Sequence, residues 1–320
     1  MKAIVYEQYG PPEVLQFKEI AKPVPADNEV LIKVRAASVN PLDWHFMRGD
    51  PWPIHLVLGL WKPKKTQLGV DAAGVVEGIG RNVTQFKPGD EVFGGCSGAF
   101  AEYLCAKEDQ LALKPASLSF EQAASVPLAA ITALQGLRDK GQIKPGQKVL
   151  IEGASGGVGT FAIQIAKAFG AEVTAVCSTR NLERAHSLGA DHVIDYTRED
   201  FTRRGERYDL IFGANASHSI FAYRRVLNRG GSCIKAGGKA SLAAVFLELL
   251  LSLILSLVSS KKVYTYIAKL NKKDLLLLKQ FLEDGKIVPV IDRRYPLSDT
   301  AEAIRYLEEG HAQGKVVLTV

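Results

Sequence analysis

From Glu29 to Ala36 apolar and polar positions alternate, with Val30, Ile32, Val34 and Ala36 on one face and Lys33 and Arg35 on the other. A period of two predicts a half-buried β-strand. Further short β-like runs follow at Gly74–Ile79, Asp90–Phe93 and Ala99–Ala106, separated by turn signals such as Lys87-Pro-Gly-Asp90. Short strands joined by tight turns predict a small antiparallel barrel. From about Glu121 the pattern changes to alternating helix and strand: a helix over 121–140, then strands near 148–153, 171–177, 192–196, 208–213 and 231–236. That order predicts a doubly wound parallel sheet with helices on both faces, an α/β domain. After Gly285 come a strand-like run Ile287–Ile291, a helix from Asp299 to Glu309 with an Asp299-x-x-Glu302 capping box, and a terminal strand Lys315–Val320. The last strand is expected to rejoin the barrel. The expected domains are thus 1–120 with 285–320, and 121–284.

One segment stands apart from this pattern. Leu242 to Val258 is apolar except for Glu248, Ser252 and Ser256, and Lys261-Lys262 follow. As a helix it spans roughly 25 Å, short of the roughly 30 Å hydrocarbon core, so a full transmembrane span is not expected. Its polar positions recur at helical spacing and leave most of the circumference apolar. Cover is expected from a second subunit, a lipophilic substrate, a peripheral membrane surface, or burial deep between the two domains.

Composition narrows the class without naming a function. At 320 residues and 47% hydrophobic, the chain is long enough for two cores. Forty basic against thirty-four acidic residues leave +6, with no basic run resembling a nucleic-acid arm; a mild bias toward anionic ligands and a merely solvated surface both fit. Cys96, Cys105, Cys177 and Cys233 are scattered without C-x-x-C spacing, which suggests neither a disulfide framework nor a structural zinc cluster. The opening Met1-Lys-Ala-Ile-Val-Tyr-Glu7 is charged too early for a signal peptide, so the expected compartment is the reducing cytoplasm.

The stretch Val149-Leu-Ile-Glu-Gly-Ala-Ser-Gly-Gly-Val-Gly-Thr160 carries the most chemistry. An aliphatic strand breaks into glycines and resumes as a helix, which places free N–H groups and a positive helix end around a pyrophosphate. Phe161–Phe169, Gly170 and Ala171–Val176 complete the β-α-β unit that the motif requires. An NAD site would carry a carboxylate near the end of the second strand. Here Cys177-Ser-Thr-Arg180-Asn181 stands instead. Ser178 and Arg180 can both hydrogen-bond the extra phosphate of NADPH, which a carboxylate would repel. Arg180 as a solvated loop cap is the alternative.

Together these residues resemble the quinone oxidoreductase branch, zinc-independent, of the medium-chain dehydrogenase/reductase superfamily. The resemblance covers nearly the whole chain and rests on Ser38-Val-Asn-Pro-Leu-Asp43, Gly69-Val-Asp-Ala-Ala-Gly-Val75, Lys87-Pro-Gly-Asp-Glu-Val-Phe93, the Gly153–Gly159 loop and Gly310-His-Ala-Gln-Gly-Lys-Val-Val317. It implies a GroES-like barrel beside a Rossmann-type sheet. The superfamily's zinc alcohol dehydrogenases carry Cys where Asn40 stands and Gly-His-Glu where Gly69-Val70-Asp71 stands, so no catalytic metal is expected. His45 and His55 read as surface or packing residues. Without a Lewis acid the carbonyl-oxygen charge needs another sink, and a conjugated enone or a quinone delocalises the incoming electron pair itself. The resemblance therefore implies an NADPH-dependent reductase of quinones or α,β-unsaturated carbonyls.

The resemblance also assigns residues. Asn40, with Asp43 and Trp44 beside it, falls nearest nicotinamide and substrate; Trp44 either stacks there or simply packs. The cofactor set is Thr132, Ser155, Gly156, Gly157, Val158, Ser178, Arg180, Tyr196, Ala236, Gly237, Gly238 and Lys315, with Lys315 either entering the active cleft or ending its strand in solvent. No general acid stands out; Tyr103 and a solvent water are the candidates. Expected partners are the small-molecule quinone or enone, a second copy in a homodimer and a membrane surface touched through 242–258, with no nucleic acid. Two other classes remain open: a catalytically weak NADPH-binding protein of structural, crystallin-like or RNA-binding type, and a peripheral membrane interaction protein.

Overall fold

Residues 1–237 and 260–320 are described in the computed structural model. Gly238 and the apolar run 242–258 lie outside the described residues. Contacts divide the chain into two units, Met1–Ala129 with Leu270–Asp284 and Pro289–Val320, and Ala130–Lys269 with Gly285–Val288. Residues 121–129 and 270–284 therefore group with the first unit, not with the nucleotide domain expected from the sequence.

The first unit opens with an antiparallel pair, β1 (Lys2–Val5) and β2 (Gln16–Glu19). Its main sheet is built on β3 (Glu29–Val39), which pairs along its length with β4 (Asp71–Ile79). On its other edge β3 pairs first with β6 (Tyr103–Lys107) and then with the terminal strand β15 (Lys315–Thr319). Strands β5 (Glu91–Gly95), β7 (Leu111–Leu113) and β14 (Ile291–Pro296) complete the order β14-β15-β3-β4-β5-β7. All pairings are antiparallel except β14 with β15. The alternation along β3 holds where expected, with Lys33 and Arg35 exposed, and then gives way to a continuously buried Ala36–Val39. Its buried side chains join Phe100, Leu104, Leu111, Val316 and Leu318 in one core.

The second unit holds a six-stranded parallel sheet of β8 (Lys148–Glu152), β9 (Glu172–Cys177), β10 (His192–Asp195), β11 (Tyr208–Gly213), β12 (Leu227–Lys235) and β13 (Lys262–Thr265). The order β10-β9-β8-β11-β12-β13 is the 3-2-1-4-5-6 arrangement of a doubly wound dinucleotide fold. Ligands of such sheets bind at the carboxyl ends of strands where the winding reverses, here β8 and β11. Strand β13 had no counterpart among the sequence expectations.

Several expectations are corrected. The helix expected over 121–140 is three pieces: α3 (Phe120–Ala124), α4 (Pro127–Gln135) and a π turn Gly136–Lys140. Pro127 lacks an N–H and pushes Val126 out of helical geometry, which separates the first two. No strand forms at 287–290, because the Val288 backbone is spent on the Gln164 side chain (2.7 and 3.0 Å) and Pro289 has no donor; β14 begins at Ile291. The strand expected at 99–106 starts only at Tyr103, since Phe100 is used for irregular pairing with Ile4 and Leu68. The Asp299–Glu302 capping box is absent: Asp299 accepts from Ser298 Oγ, and Glu302 pairs with Arg305.

Candidate active site and nucleotide cradle

In the second unit, Val149, Leu150 and Ile151 of β8 are fully buried, and the strand ends at Gly153 with φ +75°. A Cβ there would lie 2.9 Å from the Asn215 backbone nitrogen, so only glycine makes this turn without strain. The Gly156 N–H donates to Gly153 O at 3.3 Å, and helix α5 (Gly157–Ala168) starts immediately after, with no side chain capping it. Its first-turn N–H groups stay available to an anion, helped by the helix dipole. At Gly159 a Cβ would fall 2.1 Å from Gly153 O, whereas at Gly156 it would meet only that oxygen, at 3.7 Å. Gly159 thus serves packing, and Gly156 keeps the cradle open. Ser155, Gly156, Gly157 and Val158 are brought together here, all half-buried.

Ser178, Arg180 and Tyr196 gather at the adjacent carboxyl ends of β9 and β10, where Cys177 pairs with Asp195. Asn181 Nδ2 donates to Ser178 Oγ at 3.1 Å, and the Tyr196 N–H to Cys177 O at 3.1 Å; the Arg180 and Tyr196 side chains are exposed. A carboxylate that the sequence reading passed over, Asp195, also lies at this edge. It is turned inward: the Thr179 hydroxyl, the Thr197 N–H (3.0 Å) and the Thr197 Oγ1 (2.7 Å) all donate to it. Those bonds, the Thr179 hydroxyl foremost, hold its carboxyl below the usual range.

Ala236 and Gly237 follow β12, and their backbone meets the turn after β11: Ala236 N–H donates to Gly213 O (2.9 Å), and Ala216 N–H to Gly237 O (3.0 Å). A Cβ on Gly237 would lie 2.6 Å from Ala214 O. Thr132, half-buried on α4, accepts from the Tyr266 hydroxyl through its carbonyl. Glu152 was not anticipated. It is buried at the end of β8, where it accepts from Ser217 N–H (3.2 Å), Ser217 Oγ (2.8 Å) and Tyr223 OH (2.5 Å) and meets His218 Nδ1 at 3.0 Å. Its only sequence signal is a carboxylate directly after the apolar run Val149–Ile151; it ties β8 to the segment after β11.

In the first unit, β3 ends at Val39, and Asn40 leads into α1 (Pro41–Arg48). Asn40, Asp43, Asp71 and Lys315 are all buried there. Lys315 Nζ donates to Asn40 Oδ1 at 2.6 Å and lies 3.7 Å from Asp71 Oδ2. Asn40 Nδ2 donates to Asp71 Oδ2 at 3.0 Å and to Ser38 O at 3.2 Å. Both amide hydrogens are therefore committed, and the expected Asn40 donor to a substrate carbonyl is not free. Asp71 also accepts from Ser38 Oγ (3.1 Å) and from the Leu128 N–H in the first turn of α4 (3.0 Å). Burial raises the Asp71 carboxyl and the Lys315 ammonium opposes that; burial lowers Lys315, and Asp71 opposes that in turn. Each opposes the other's shift without reversing it.

Asp43 accepts the Asn40 N–H through Oδ2 at 2.8 Å, while Oδ1 is buried without a partner among the described residues. Burial pushes its carboxyl up to about 7, Asp71 adds to the rise, and the Asn40 N–H works against it. Burial, with Asp71 and Asp43 nearby, also pushes the Cys96 thiol up. Trp44 is half-buried on the first unit's core and stacks on His45 at 3.7 Å between ring centroids, so it packs. His45 Nδ1 bonds Asp50 O (2.7 Å) and His55 Nδ1 bonds Leu60 O (3.0 Å), both packing roles. Lys315 is not a solvated strand end. Tyr103 pairs with Lys33, seven residues along β3 from Asn40, roughly 23 Å away by strand rise, and Lys22 Nζ sits over its ring at 3.9 Å. It is excluded as a proton donor at Asn40. Among the described residues no group of three or more His, Cys, Asp or Glu gathers to hold a metal ion.

Comparison with known proteins agrees with this geometry. Residues 26–116 match the alcohol dehydrogenase GroES-like domain family and residues 188–318 the zinc-binding dehydrogenase family. A chloroplastic NADPH-dependent alkenal/one oxidoreductase from Arabidopsis thaliana is 36% identical over 333 residues, 99% of this chain and 79% of that protein. The quinone oxidoreductase from Coxiella burnetii superposes with a TM-score of 0.87 at 31% identity, covering 100% of this chain and 99% of that one. The Escherichia coli quinone oxidoreductase complexed with NADPH superposes with a TM-score of 0.83 at 27% identity, covering both chains fully (100% each). With a GroES-like sheet closed by its own C-terminal strand and a 3-2-1-4-5-6 nucleotide sheet, the chain belongs to the quinone oxidoreductase branch of the medium-chain dehydrogenase/reductase superfamily.

Proposed function

We propose that the protein reduces quinones or α,β-unsaturated carbonyl compounds with NADPH. The observation that carries this reading is the uncapped start of α5 beneath a glycine turn, with Ser178 and Arg180 at the neighbouring strand end. These residues fit a dinucleotide: Gly156 leaves room for the pyrophosphate, the α5 N–H groups donate to it, and Ser178, Arg180 and Tyr196 line the place for the adenosine phosphate. Thr132, Ser155, Gly157, Val158, Ala236, Gly237 and Gly238 complete the proposed cofactor set. Bound NADPH supplies the hydride.

In the first unit we assign Asn40 and Lys315 to the substrate side, with Asp43 and Trp44 supporting them. A conjugated carbonyl that accepts hydride at carbon develops negative charge on oxygen, and a positioned donor there lowers the barrier. Lys315 Nζ donates to Asn40 Oδ1 at 2.6 Å, and its other contacts, Val39 O at 3.4 Å and Asp71 Oδ2 at 3.7 Å, are long enough for an incoming oxyanion to compete for an N–H, whereas both Asn40 amide hydrogens are held at 3.0 and 3.2 Å. Asn40 holds the Lys315 Nζ in place, Asp71 opposes the fall that burial imposes on it, and Trp44 packs from α1 onto the unit's core. Lys315 thereby passes from the cofactor set to the oxyanion.

The reading is tested by following NADPH consumption with a panel of quinones, short and long enals and cyclic enones, NADH serving as the comparison. Oxidation of NADPH with none of them sinks it, and tight NADPH binding without turnover favours the structural-protein alternative. The homodimer, the cytoplasmic location and membrane contact through 242–258 are further proposals from the sequence; a lysine at Leu250 and Ile254 that leaves assembly and lipid binding unchanged removes the last. Among the described residues no helix is long and apolar enough to cross a membrane.

A further inference from the structure

A 3-10 turn at Trp52–Ile54 runs into the single-turn helix α2 (His55–Leu58), and the chain continues through Gly59 to Lys65. Four large apolar side chains on this segment stand in solvent: Trp61 is 93% exposed, Leu56 63%, Trp52 62% and Leu60 54%. One such residue is ordinary, but four within ten positions mark a contact surface. The backbone beneath them is pinned. Tyr9 OH donates to Gly59 O at 2.8 Å, Lys64 N–H to Leu58 O at 2.7 Å, and His55 Nδ1 bonds Leu60 O at 3.0 Å. Gly59, at φ +127°, turns where a Cβ would fall 2.2 Å from Lys62 O. The apolar groups are held outward by this frame and do not fold onto the unit's own core.

The same segment carries exposed Lys62, Lys64 and Lys65, and no Asp or Glu occurs between Asp50 and Asp71. Lys65 Nζ touches the neutral Ser97 Oγ at 3.4 Å, and among the described residues no carboxylate forms an ion pair with it. Indole rings span the headgroup boundary, leucines enter the acyl region and lysines reach back to anionic headgroups along their apolar stems. We propose that residues 51–65 dock the protein peripherally on an anionic membrane surface. A second copy of the chain suits the face less well, because a symmetric contact sets lysines against lysines. The proposal stands apart from the reductase reading and does not require it.

Flotation of the full chain with phosphatidylcholine vesicles and with phosphatidylserine-containing vesicles tests it. The expected result is recovery with the anionic vesicles, loss of binding at high salt, and quenching of tryptophan emission by brominated acyl chains. Lys62→Glu with Lys64→Glu and Lys65→Glu should lower the partition coefficient by at least about a hundredfold, at about fivefold per lysine. The same charge change at the exposed Lys87, Lys140 and Lys144, outside this segment, should leave it nearly unchanged. Trp61→Ser should reduce the quenching and Trp61→Ser with Trp52→Ser should remove it, and circular dichroism melts should show every variant folded. Absence of flotation, or equal loss in the two triple variants, overturns the proposal. So does a dimer, seen by sedimentation velocity, that Trp52→Ser with Trp61→Ser abolishes without any lipid binding, since that assigns the face to a second copy.

Discussion

Lys315 Nζ donates to Asn40 Oδ1 across 2.6 Å, with both residues buried. The first residue of β15 thus brings its amino group to the residue that follows β3. Lys315→Met would leave Asp71 buried without its counter-charge, and unfolding by urea should show a loss of about 3–5 kcal/mol. Adding Asp71→Asn should restore much of that. The double variant, stable but lacking the ammonium, should lose kcat on enones while keeping NADPH affinity; an unchanged kcat would remove Lys315 from the reaction.

The pH dependence of stability should report Asp43. With its carboxyl up at about 7, the folded form holds a proton that the unfolded chain releases near the ordinary carboxylate value of about 4. The group's contribution is fully favourable at low pH and is lost as pH rises between those values. The melting temperature of wild type relative to Asp43→Asn should therefore be highest near about pH 4 and fall until about pH 7. A difference that is flat across this window would show that Asp43 is ionised throughout.

Two glycines three residues apart should fail in different ways. Gly159→Ala places a Cβ 2.1 Å from Gly153 O, so the melting temperature should drop and binding should follow. Gly156→Ala, at φ −77° with its Cβ in ordinary contact with Gly153 O alone, at 3.7 Å, should leave the melt nearly unchanged and weaken NADPH by filling the cradle. Calorimetric titration beside a thermal melt separates the two, and full NADPH affinity in Gly156→Ala would move the pyrophosphate elsewhere.

Arg180→Ala should discriminate between cofactors. A charge-assisted bond to the extra phosphate is worth about 1.5–3 kcal/mol, so NADPH affinity should fall about ten- to a hundredfold while NADH affinity holds. Equal loss for both cofactors would mean that Arg180 serves the loop at 179–181.

The parallel sheet was legible because its strands are short, apolar and separated by helical patterns, and the glycine loop was legible because φ +75° at Gly153 demands one residue type. The break at Pro127 was also written in the sequence, yet the apolar periodicity on both sides concealed it. Strand β13 was hidden because Lys262–Thr265 is only four residues long and mostly exposed. Asp195 directly precedes Tyr196, but only the pairing of β10 with β9 brings its carboxylate beside Cys177 and the Ser178–Arg180 turn.

The sequence by itself determined the two architectures and the nucleotide loop, since each depends on residue type and local spacing. Tertiary structure alone decided what Asn40 can do. Its amide is occupied by Ser38 and Asp71, and its oxygen by a lysine 275 positions away. Donor capacity depends on which partners arrive within 3 Å, and a linear sequence does not encode that separately from the fold. The same holds for Asp43, an ordinary carboxylate in sequence that becomes a proton holder at neutral pH because burial strips its water.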